Sequence, residues 1–454
     1  MKQIVADQKA FFNTHTTKNI DFRIKQLYTL QAVLKENEAL LNEAIYADFK
    51  KSEFDTYVSE LALLYNDIKE AKRNIKKWSR KKRVSTNLLN FPASSYIVPE
   101  PLGVCLVIGA WNYPYQLSFA PVVAALAAGN TVILKPSELP SKTSEVMANL
   151  VNDNFDPQVF KVIEGGVPET TELLKQDFDK IFFTGSTKVG KIVYKAAAEN
   201  LTPVTLEMGG KSPAFVTEDN NLKMTVKRMM WAKFLNAGQT CIAPDYVMVH
   251  EKVKEEFLEL AKNEIEEEHF KFENHNYVQI INDDNFDRLA AMIKPEQVYF
   301  GGNTDKEKRY IQPTILQNVS FKDPVMQEEI FGPILPVLSY SNLEEAISEV
   351  RKFPKPLSCY VFTNNKKTKR KILNEISFGG GAINDAVMHI SNPNLPFGGV
   401  GQSGIGNYHG KAGFDCFTHY KSILDKPTWL ELPIKYSPHT KRKLKWIKRI
   451  MRFQ

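Results

Sequence analysis

The sequence predicts an α/β protein with two successive parallel sheets, and three observations carry that prediction. Short, continuously apolar runs alternate with helical stretches between residues 104 and 206, as expected of strands covered on both faces. The same alternation restarts after Gly209-Gly210. Ahead of both lie about 80 residues whose apolar positions recur at helical spacing. At 454 residues, 43% of them hydrophobic, the chain is too long for one simple core and divides into two or three domains.

The leading helices are marked by Ile20, Leu27, Leu30, Leu34, Leu41 and Ile45, then by Leu61, Leu64, Ile68, Ile75 and Trp78. The basic run Arg80-Lys81-Lys82-Arg83 ends them and reads as a solvated helix terminus. Tyr96-Ile97-Val98 has strand character and precedes Pro99. Val104-Cys105-Leu106-Val107-Ile108 is the first covered strand, and a helix follows from Pro114 to Ala128, stopped by Gly129-Asn130. Thr131-Val132-Ile133-Leu134 is the next strand, with a helix from near Ser141. Strands at 159–163 and 181–183 follow, then a helix near Lys188, and Val204-Thr205-Leu206 closes the series. Such βα repetition is that of a Rossmann-like sheet. In the second unit, strands are expected at Ala214-Phe215-Val216, 246–249, 310–316, 334–338 and 359–362, with helices at 222–235, 251–268 and 343–351. The segment 378–406 is rich in Gly, Asn and Pro and reads as loop, a common place for binding residues.

The formal charge is +7, from 59 basic and 52 acidic residues. Eight of the basic residues and none of the acidic ones fall between Leu432 and Gln454, so the remainder is balanced at 51 against 52. A nucleic-acid enzyme carries its basic surface on the body, so no nucleic-acid partner is expected. Cys105, Cys241, Cys359 and Cys416 are far apart without CxxC spacing, which argues against a disulfide framework or a metal site. No apolar run reaches the length of a membrane span. The polar start, Met1-Lys2-Gln3-Ile4, lacks the pattern of a secretion signal, so a cytoplasmic address is expected.

Five places carry chemistry. Gly185-Ser186-Thr187-Lys188-Val189-Gly190 stands between a strand and a helix. Glycines there let backbone approach a pyrophosphate at the helix N-terminus, although the segment is neither a Walker loop nor GxGxxG. A plain strand–helix turn is the competing reading. Lys135-Pro136-Ser137-Glu138 follows a strand end, where a cation and a carboxylate could hold ribose hydroxyls or form a surface turn. Cys241 follows a helix with polar neighbours Gln239 and Thr240, unlike an inert core cysteine. Glu207 ends a buried strand where the two units join, as a base of raised pKa or a salt-bridged hinge. Asn112, in Trp111-Asn112-Tyr113-Pro114, is an oxyanion donor or a helix cap.

Together these segments resemble one family. Leu206-Glu207-Met208-Gly209-Gly210-Lys211-Ser212-Pro213 is similar to the glutamate signature of the aldehyde dehydrogenases, and Gly238-Gln239-Thr240-Cys241 to their cysteine signature. Glu328-Glu329-Ile330-Phe331-Gly332-Pro333 and Pro396-Phe397-Gly398-Gly399 match two more, in order, from about residue 20 to 425. Trp111-Asn112-Tyr113-Pro114, Ala243-Pro244-Asp245-Tyr246 and Tyr408-His409-Gly410 resemble class 3, the fatty and aromatic aldehyde dehydrogenases.

The resemblance implies the aldehyde dehydrogenase fold and a homodimer. It divides the chain into N-terminal helices plus an NAD(P)-binding domain (1–83 and 98–208), a catalytic domain (209–412), bridging segments (84–97 and 413–430) and a basic tail (431–454). Phe414-Asp415-Cys416-Phe417-Thr418-His419 has the alternation of a bridging strand. The implied chemistry is oxidation of an aldehyde to a carboxylic acid without a metal. The Cys241 thiolate attacks, Asn112 and the Cys241 N–H hold the oxyanion, and Glu207 activates water to hydrolyse the thioester. Lys135 and Glu138 bind the adenine-side ribose, Gly185, Ser186 and Gly190 the pyrophosphate, and Glu329 and Phe331 the nicotinamide end. NAD is expected as the preferred cofactor and NADP as a usable one, since Glu138 repels a 2′-phosphate. Tyr113, Ile390, Phe397 and His409 are the expected walls of an aldehyde tunnel. A CoA-acylating enzyme and a non-catalytic protein on the same fold are the competing readings. Glu207 argues against the first, and Cys241, Glu207, Asn112 and Glu329 together argue against the second.

The tail has its own pattern. At 100° per residue, Leu444, Trp446, Ile447, Ile450, Met451 and Phe453 share one half of a helix and all but one of the cations share the other. That is the design of a helix lying on an anionic membrane surface. A disordered tail or a helix docked on a partner subunit competes with it. A lipophilic substrate, such as a medium or long-chain, aromatic or polyene aldehyde, fits the membrane reading.

Overall fold

The parallel sheet expected between residues 104 and 206 is present. In the computed structural model, which describes residues 1–453, six strands lie in the order Gly404–Ile405, Val204–Glu207, Lys180–Thr184, Val104–Ile108, Thr131–Lys135 and Phe160–Val162. Five run parallel, and Gly404–Ile405 pairs antiparallel with Val204–Glu207, placing Gly404 opposite Glu207. Every residue of Val104–Ile108, Thr131–Lys135 and Lys180–Thr184 is buried, which is why they read as unbroken apolar runs. The second strand in sequence lies on one side of Val104–Ile108 and Lys180–Thr184 on the other. That reversal opens a crevice beyond the carboxyl ends of these strands.

The helix Pro114–Ala128 is buried along nearly all its length and so carries no amphipathic stripe. It stops at Gly129, whose φ of +97° favours glycine. The helix Ile20–Glu36 and the helix over 53–78 pack on it, Glu38–Phe49 packs on the helix Ser141–Asn154 and Lys2–Asn13 on the strand Val104–Ile108, with Leu27, Leu30, Leu34, Leu41, Ile45, Leu64, Ile68 and Ile75 buried as the spacing predicts.

The second sheet has seven strands in the order Val298–Phe300, Thr314–Leu316, Ile334–Tyr340, Tyr246–His250, Pro213–Val216, Ser358–Phe362 and Gly380–Ile383. All neighbours are parallel except the first pair. Two expectations change here. The strand expected over 310–316 is broken at Pro313, and Tyr310–Ile311 pairs instead with Thr304–Asp305. The segment 378–406 is not all loop: it supplies Gly380–Ile383 to this sheet and Gly404–Ile405 to the first. A Cβ at Gly381 would stand 2.0 Å from the Cys359 carbonyl oxygen, so close backbone packing selects glycines that disguise a strand as loop.

A third sheet is antiparallel, with Ser94–Pro101 between Lys82–Val84 and Thr418–Asp425. The strand expected at 414–419 begins only at Thr418, because Gly410–Cys416 is a helix that buries Phe414. The basic run at 80–83 also differs: the helix ends at Trp78, and Lys82 and Arg83 lie on an exposed edge strand. The tail forms the helix Lys441–Ile450, capped by Thr440, whose Oγ1 accepts from the Lys443 N–H. Leu444 and Trp446 on it, and Met451 just after it, are exposed. Gln454, the last residue of the predicted tail, lies outside the described residues. Among the described residues, no helix is long and apolar enough to cross a membrane.

Candidate active site

A cavity of about 950 Å³ opens at the carboxyl ends of the first sheet and runs against the second. It unites residues from both halves of the chain: Asn112, Tyr113, Lys135, Glu138, Gly185, Ser186, Glu207, Cys241, Glu329, Phe331, Ile390 and Phe397 all line it. Two expected residues do not. Gly190 sits one turn inside the helix Thr187–Glu199, and a Cβ there would meet the Met208 sulfur at 2.4 Å, so its role is to seat that helix against residue 208. His409 lies behind the wall, stacked on Phe397 at 5.2 Å, and Tyr408 reaches the cavity in its place.

Cys241 is turned into the cavity by an unusual backbone. The helix Leu222–Phe234 ends, and Asn236, Ala237 and Gly238 then adopt φ of +55°, +51° and +70°. Left-handed conformations at non-glycine residues need support from their surroundings. Asn236 Nδ2 donates to the Asn112 and Gln239 carbonyls, at 3.0 and 3.2 Å. Gln239 donates to the Asn236 and Gln279 carbonyls and accepts from the Ile281 N–H. A Cβ at Gly238 would stand 2.3 Å from the Gly332 carbonyl oxygen. Gly238 and Gln239 of the cysteine signature thus build the loop together with Asn236. Asn112 spends one amide hydrogen on the Gln239 carbonyl at 3.0 Å, and the Tyr113 hydroxyl lies 2.5 Å from Thr240 Oγ1.

Electrostatics distinguish the acid groups. Glu207 is buried, neither carboxyl oxygen has a hydrogen-bond partner, and desolvation pushes its pKa well up. Burial, then Glu329 and Glu207, push the Cys241 thiol up to about 12. A thiol raised so far needs a base to give up its proton before it can attack as a thiolate. Glu329 is raised to about 8, mainly by burial and secondarily by Asp245. Its carboxylate lies against Gly209, where a Cβ would come within 2.1 Å of it. Lys211 fixes the segment bearing Glu329 and Phe331. Its Nζ reaches Asp245 at 2.5 Å and the carbonyls of Val325 and Glu328 at 3.0 and 2.9 Å. Asp245 in turn accepts from the Ile330 N–H at 2.9 Å.

The other end of the cavity fits a dinucleotide. The helix Thr187–Glu199 opens onto it, capped by Ser186 Oγ on the Val189 N–H, so the neighbouring first-turn N–H groups and the helix dipole favour an anion. Gly185 is packed so tightly on Phe183 that a Cβ would meet the ring at 2.7 Å. Buried Lys135 Nζ lies 3.1 Å from the half-exposed Glu138 carboxylate at the next strand end.

Residues 1–423 match the model of the aldehyde dehydrogenase family. The chain belongs to the aldehyde dehydrogenase family. It is 48% identical over 452 residues to the 4,4'-diaponeurosporen-aldehyde dehydrogenase of Staphylococcus aureus, covering 99% of this chain and 98% of that one. It is 44% identical to the dimeric NADP-preferring aldehyde dehydrogenase of Mus musculus, over 93% of this chain and 94% of the other. Further relatives are named as members of aldehyde dehydrogenase family 3. A substrate-bound AldH structure from Staphylococcus aureus superposes with a TM-score of 0.97 at 47% identity, covering 99% of both chains. This aldehyde dehydrogenase is thus of class 3 type and oxidises aldehydes with NAD or NADP.

Several lining residues of the dehydrogenase escape sequence reasoning. Val58, Leu63, Leu117 and Met388 line the cavity, yet in the sequence they are apolar residues indistinguishable from core. Trp231 also lines it and stays 39% exposed; a tryptophan on a polar helix was the one available signal.

Proposed function

We propose that the enzyme converts lipophilic aldehydes to carboxylic acids through a thioester on Cys241, hydrolysed by water that Glu207 activates. The observation that carries this reading is Glu207 itself: a buried carboxyl with both oxygens unengaged, lining the same cavity as Cys241. Burial that raises the pKa of a carboxyl makes it a better base near neutral pH. Glu207 takes the proton of the Cys241 thiol as sulfur adds to the carbonyl carbon. The oxyanion of that adduct is met by the free amide hydrogen of Asn112 and the Cys241 N–H. Bound NAD(P)+ supplies the two-electron acceptor that turns the adduct into a thioester. Glu207 then deprotonates water for attack on the acyl carbon, and the Cys241 sulfur leaves.

Lys135, Glu138 and Ser186 hold the adenosine and pyrophosphate side of the cofactor in this reading, and Glu329 with Phe331 the nicotinamide side. NAD is the preferred cofactor because Glu138 repels a 2′-phosphate, and NADP is usable because that carboxylate is half-exposed, where solvent weakens the repulsion, and is partly balanced by Lys135. Tyr113 and Phe397 flank the aldehyde, with Val58, Leu63, Leu117 and Trp231 providing apolar wall. Medium and long-chain, aromatic and polyene aldehydes fit it, and a relative named for a polyene aldehyde supports the last. The test is reduction of NAD and NADP with a graded aldehyde series, alongside Cys241→Ala. Turnover that needs Cys241 and rises with chain length supports the reading; equal rates for short and long aldehydes remove the substrate class.

Two further assignments belong with this. The enzyme forms a homodimer through the three-stranded sheet, whose eight-residue strand Thr418–Asp425 is exposed and unpaired along its outer edge; the mouse relative is named dimeric. The tail helix lies peripherally on anionic membrane, its exposed Leu444 and Trp446 inserted and its cations at the headgroups. Equal sedimentation with anionic vesicles by the full chain and by a chain ending at Lys435 would remove the membrane assignment.

A further inference from the structure

Behind the cavity lies a buried ion pair that the chemistry above does not use. Lys51 Nζ is 2.6 Å from Glu60 Oε1, and both side chains are excluded from solvent. A buried pair is weak evidence for stability, because apolar replacements of similar volume often do as well. Its location offers a reason for it. The second oxygen, Glu60 Oε2, accepts the backbone N–H groups of Tyr115 at 2.8 Å and Gln116 at 3.3 Å. These belong to the first turn of the helix Pro114–Ala128, which starts directly after Asn112 and Tyr113. Such N–H groups have no partner within their own helix, and the preceding residue usually caps them. Here that residue is Tyr113, which makes no side-chain cap bond. A carboxylate from another element does the work instead.

The pair also grips Tyr113 itself. The Lys51 ammonium sits 4.2 Å from the centroid of the Tyr113 ring, while the hydroxyl of that ring meets Thr240, the neighbour of Cys241. Glu60 lies in the turn Tyr57–Leu61, where the helix over 53–78 widens to a π-turn, a distortion frequent at functional sites. Val58 and Ser59 of that turn line the cavity. The segment 112–113 is therefore held on one side by the cysteine loop and on the other by Glu60 and Lys51.

We infer that Glu60, paired with Lys51, is a positioning residue that sets the Asn112 oxyanion donor and the Tyr113 wall against Cys241. The inference rests on the oxyanion role proposed for Asn112, so the experiment tests both separately. It is a double-mutant cycle of Glu60→Gln and Asn112→Ala, read as kcat for decanal at saturating NAD. Cofactor Kd and the rate of Cys241 alkylation are measured on each variant. Asn112→Ala lowers kcat by about 100-fold or more. Glu60→Gln lowers kcat by roughly 10- to 100-fold through misplacement of the donor, with cofactor Kd and alkylation rate within about twofold. In the Asn112→Ala background, Glu60→Gln lowers kcat by less than about threefold, because it acts through a group already removed.

The inference is overturned by a kcat for Glu60→Gln near that of the parent, or by an equal loss in both backgrounds, which a merely structural role gives. Unchanged kcat in Asn112→Ala alone removes the oxyanion reading and this inference with it. If Glu60→Gln does not fold, because it strands a buried ammonium, the neutral pair Lys51→Met with Glu60→Gln goes through the same cycle under the same criteria.

Discussion

Raising pH on the cofactor-free enzyme tests the electrostatics of the site directly. Burial is the largest influence on the Cys241 thiol, with Glu329 and Glu207 adding negative field, and together they push it up to about 12. An unperturbed cysteine ionises near about 8.5, so about a quarter would be thiolate at pH 8. For Cys241 the fraction at pH 8 is about 10⁻⁴, and each pH unit multiplies it by about ten. The sign follows from the charge: neighbouring carboxylates disfavour the anion, so a raised pKa depletes thiolate at any fixed pH. Iodoacetamide should therefore label Cys241 at a rate that climbs about tenfold per unit from pH 6 to pH 9 without levelling. Quantifying the Cys241 peptide by mass spectrometry separates it from Cys105, Cys359 and Cys416. Glu207→Gln removes one of the two carboxylates and should shift the profile to lower pH. A plateau below about pH 8.5 in the parent protein would show the thiol already ionised, and the account of two buried carboxylates opposing it would be wrong.

Other outcomes are expected from the same geometry. Glu207→Gln should lower kcat by about 10²- to 10⁴-fold and slow the burst of reduced cofactor as well, because the same carboxylate takes the Cys241 proton and later the water proton; a burst at the parental rate with turnover lost would remove Glu207 from thiol activation and leave it in deacylation alone. Gly209→Ala puts a Cβ within 2.1 Å of the Glu329 carboxylate and should weaken NAD binding in a fluorescence titration, with unchanged affinity refuting contact between Glu329 and the cofactor. Glu329 has a folded pKa raised to about 8 from the 4.5 of an ordinary glutamate, so the folded state binds the proton more tightly. Its stabilising contribution is present below pH 4.5 and is lost as pH rises through about 8. Glu329→Gln should accordingly raise the melting temperature by about 2–5 °C at pH 8.5 and little at pH 5; a gain of the same size at both would show that ionisation is not the cause.

What could be read from the sequence depended on whether a residue's chemistry was local. Val104–Ile108 and Thr131–Lys135 were legible because strands buried on both faces leave unbroken apolar runs. That Cys241, Glu207 and Asn112 line one cavity was legible because each sits in a short motif, and in the cysteine motif Gln239 holds the preceding turn by donating to the Asn236 and Gln279 carbonyls. Gly380–Ile383 was not, because glycines chosen for close approach to Cys359 look like loop. His409 was misplaced by one residue of side-chain direction: it stacks behind Phe397 while Tyr408 faces in. Glu60 was illegible altogether, since nothing near it in sequence reveals that its carboxylate caps a helix that begins 54 residues later.

The strand Gly404–Ile405 ties the enzyme's competence to the order of its synthesis. The rest of the first sheet is complete once residue 207 has emerged, but the outer edge of Val204–Glu207 has no neighbour until residues 404 and 405 return to it. The Ser403 carbonyl likewise takes the Met208 N–H only then. For nearly half of translation, a nascent chain therefore displays a bare strand edge ending at Glu207, a template for pairing with other chains. Ribosome stalling or premature termination between those points would yield a protein prone to aggregate and without a fixed Glu207, rather than a smaller active enzyme.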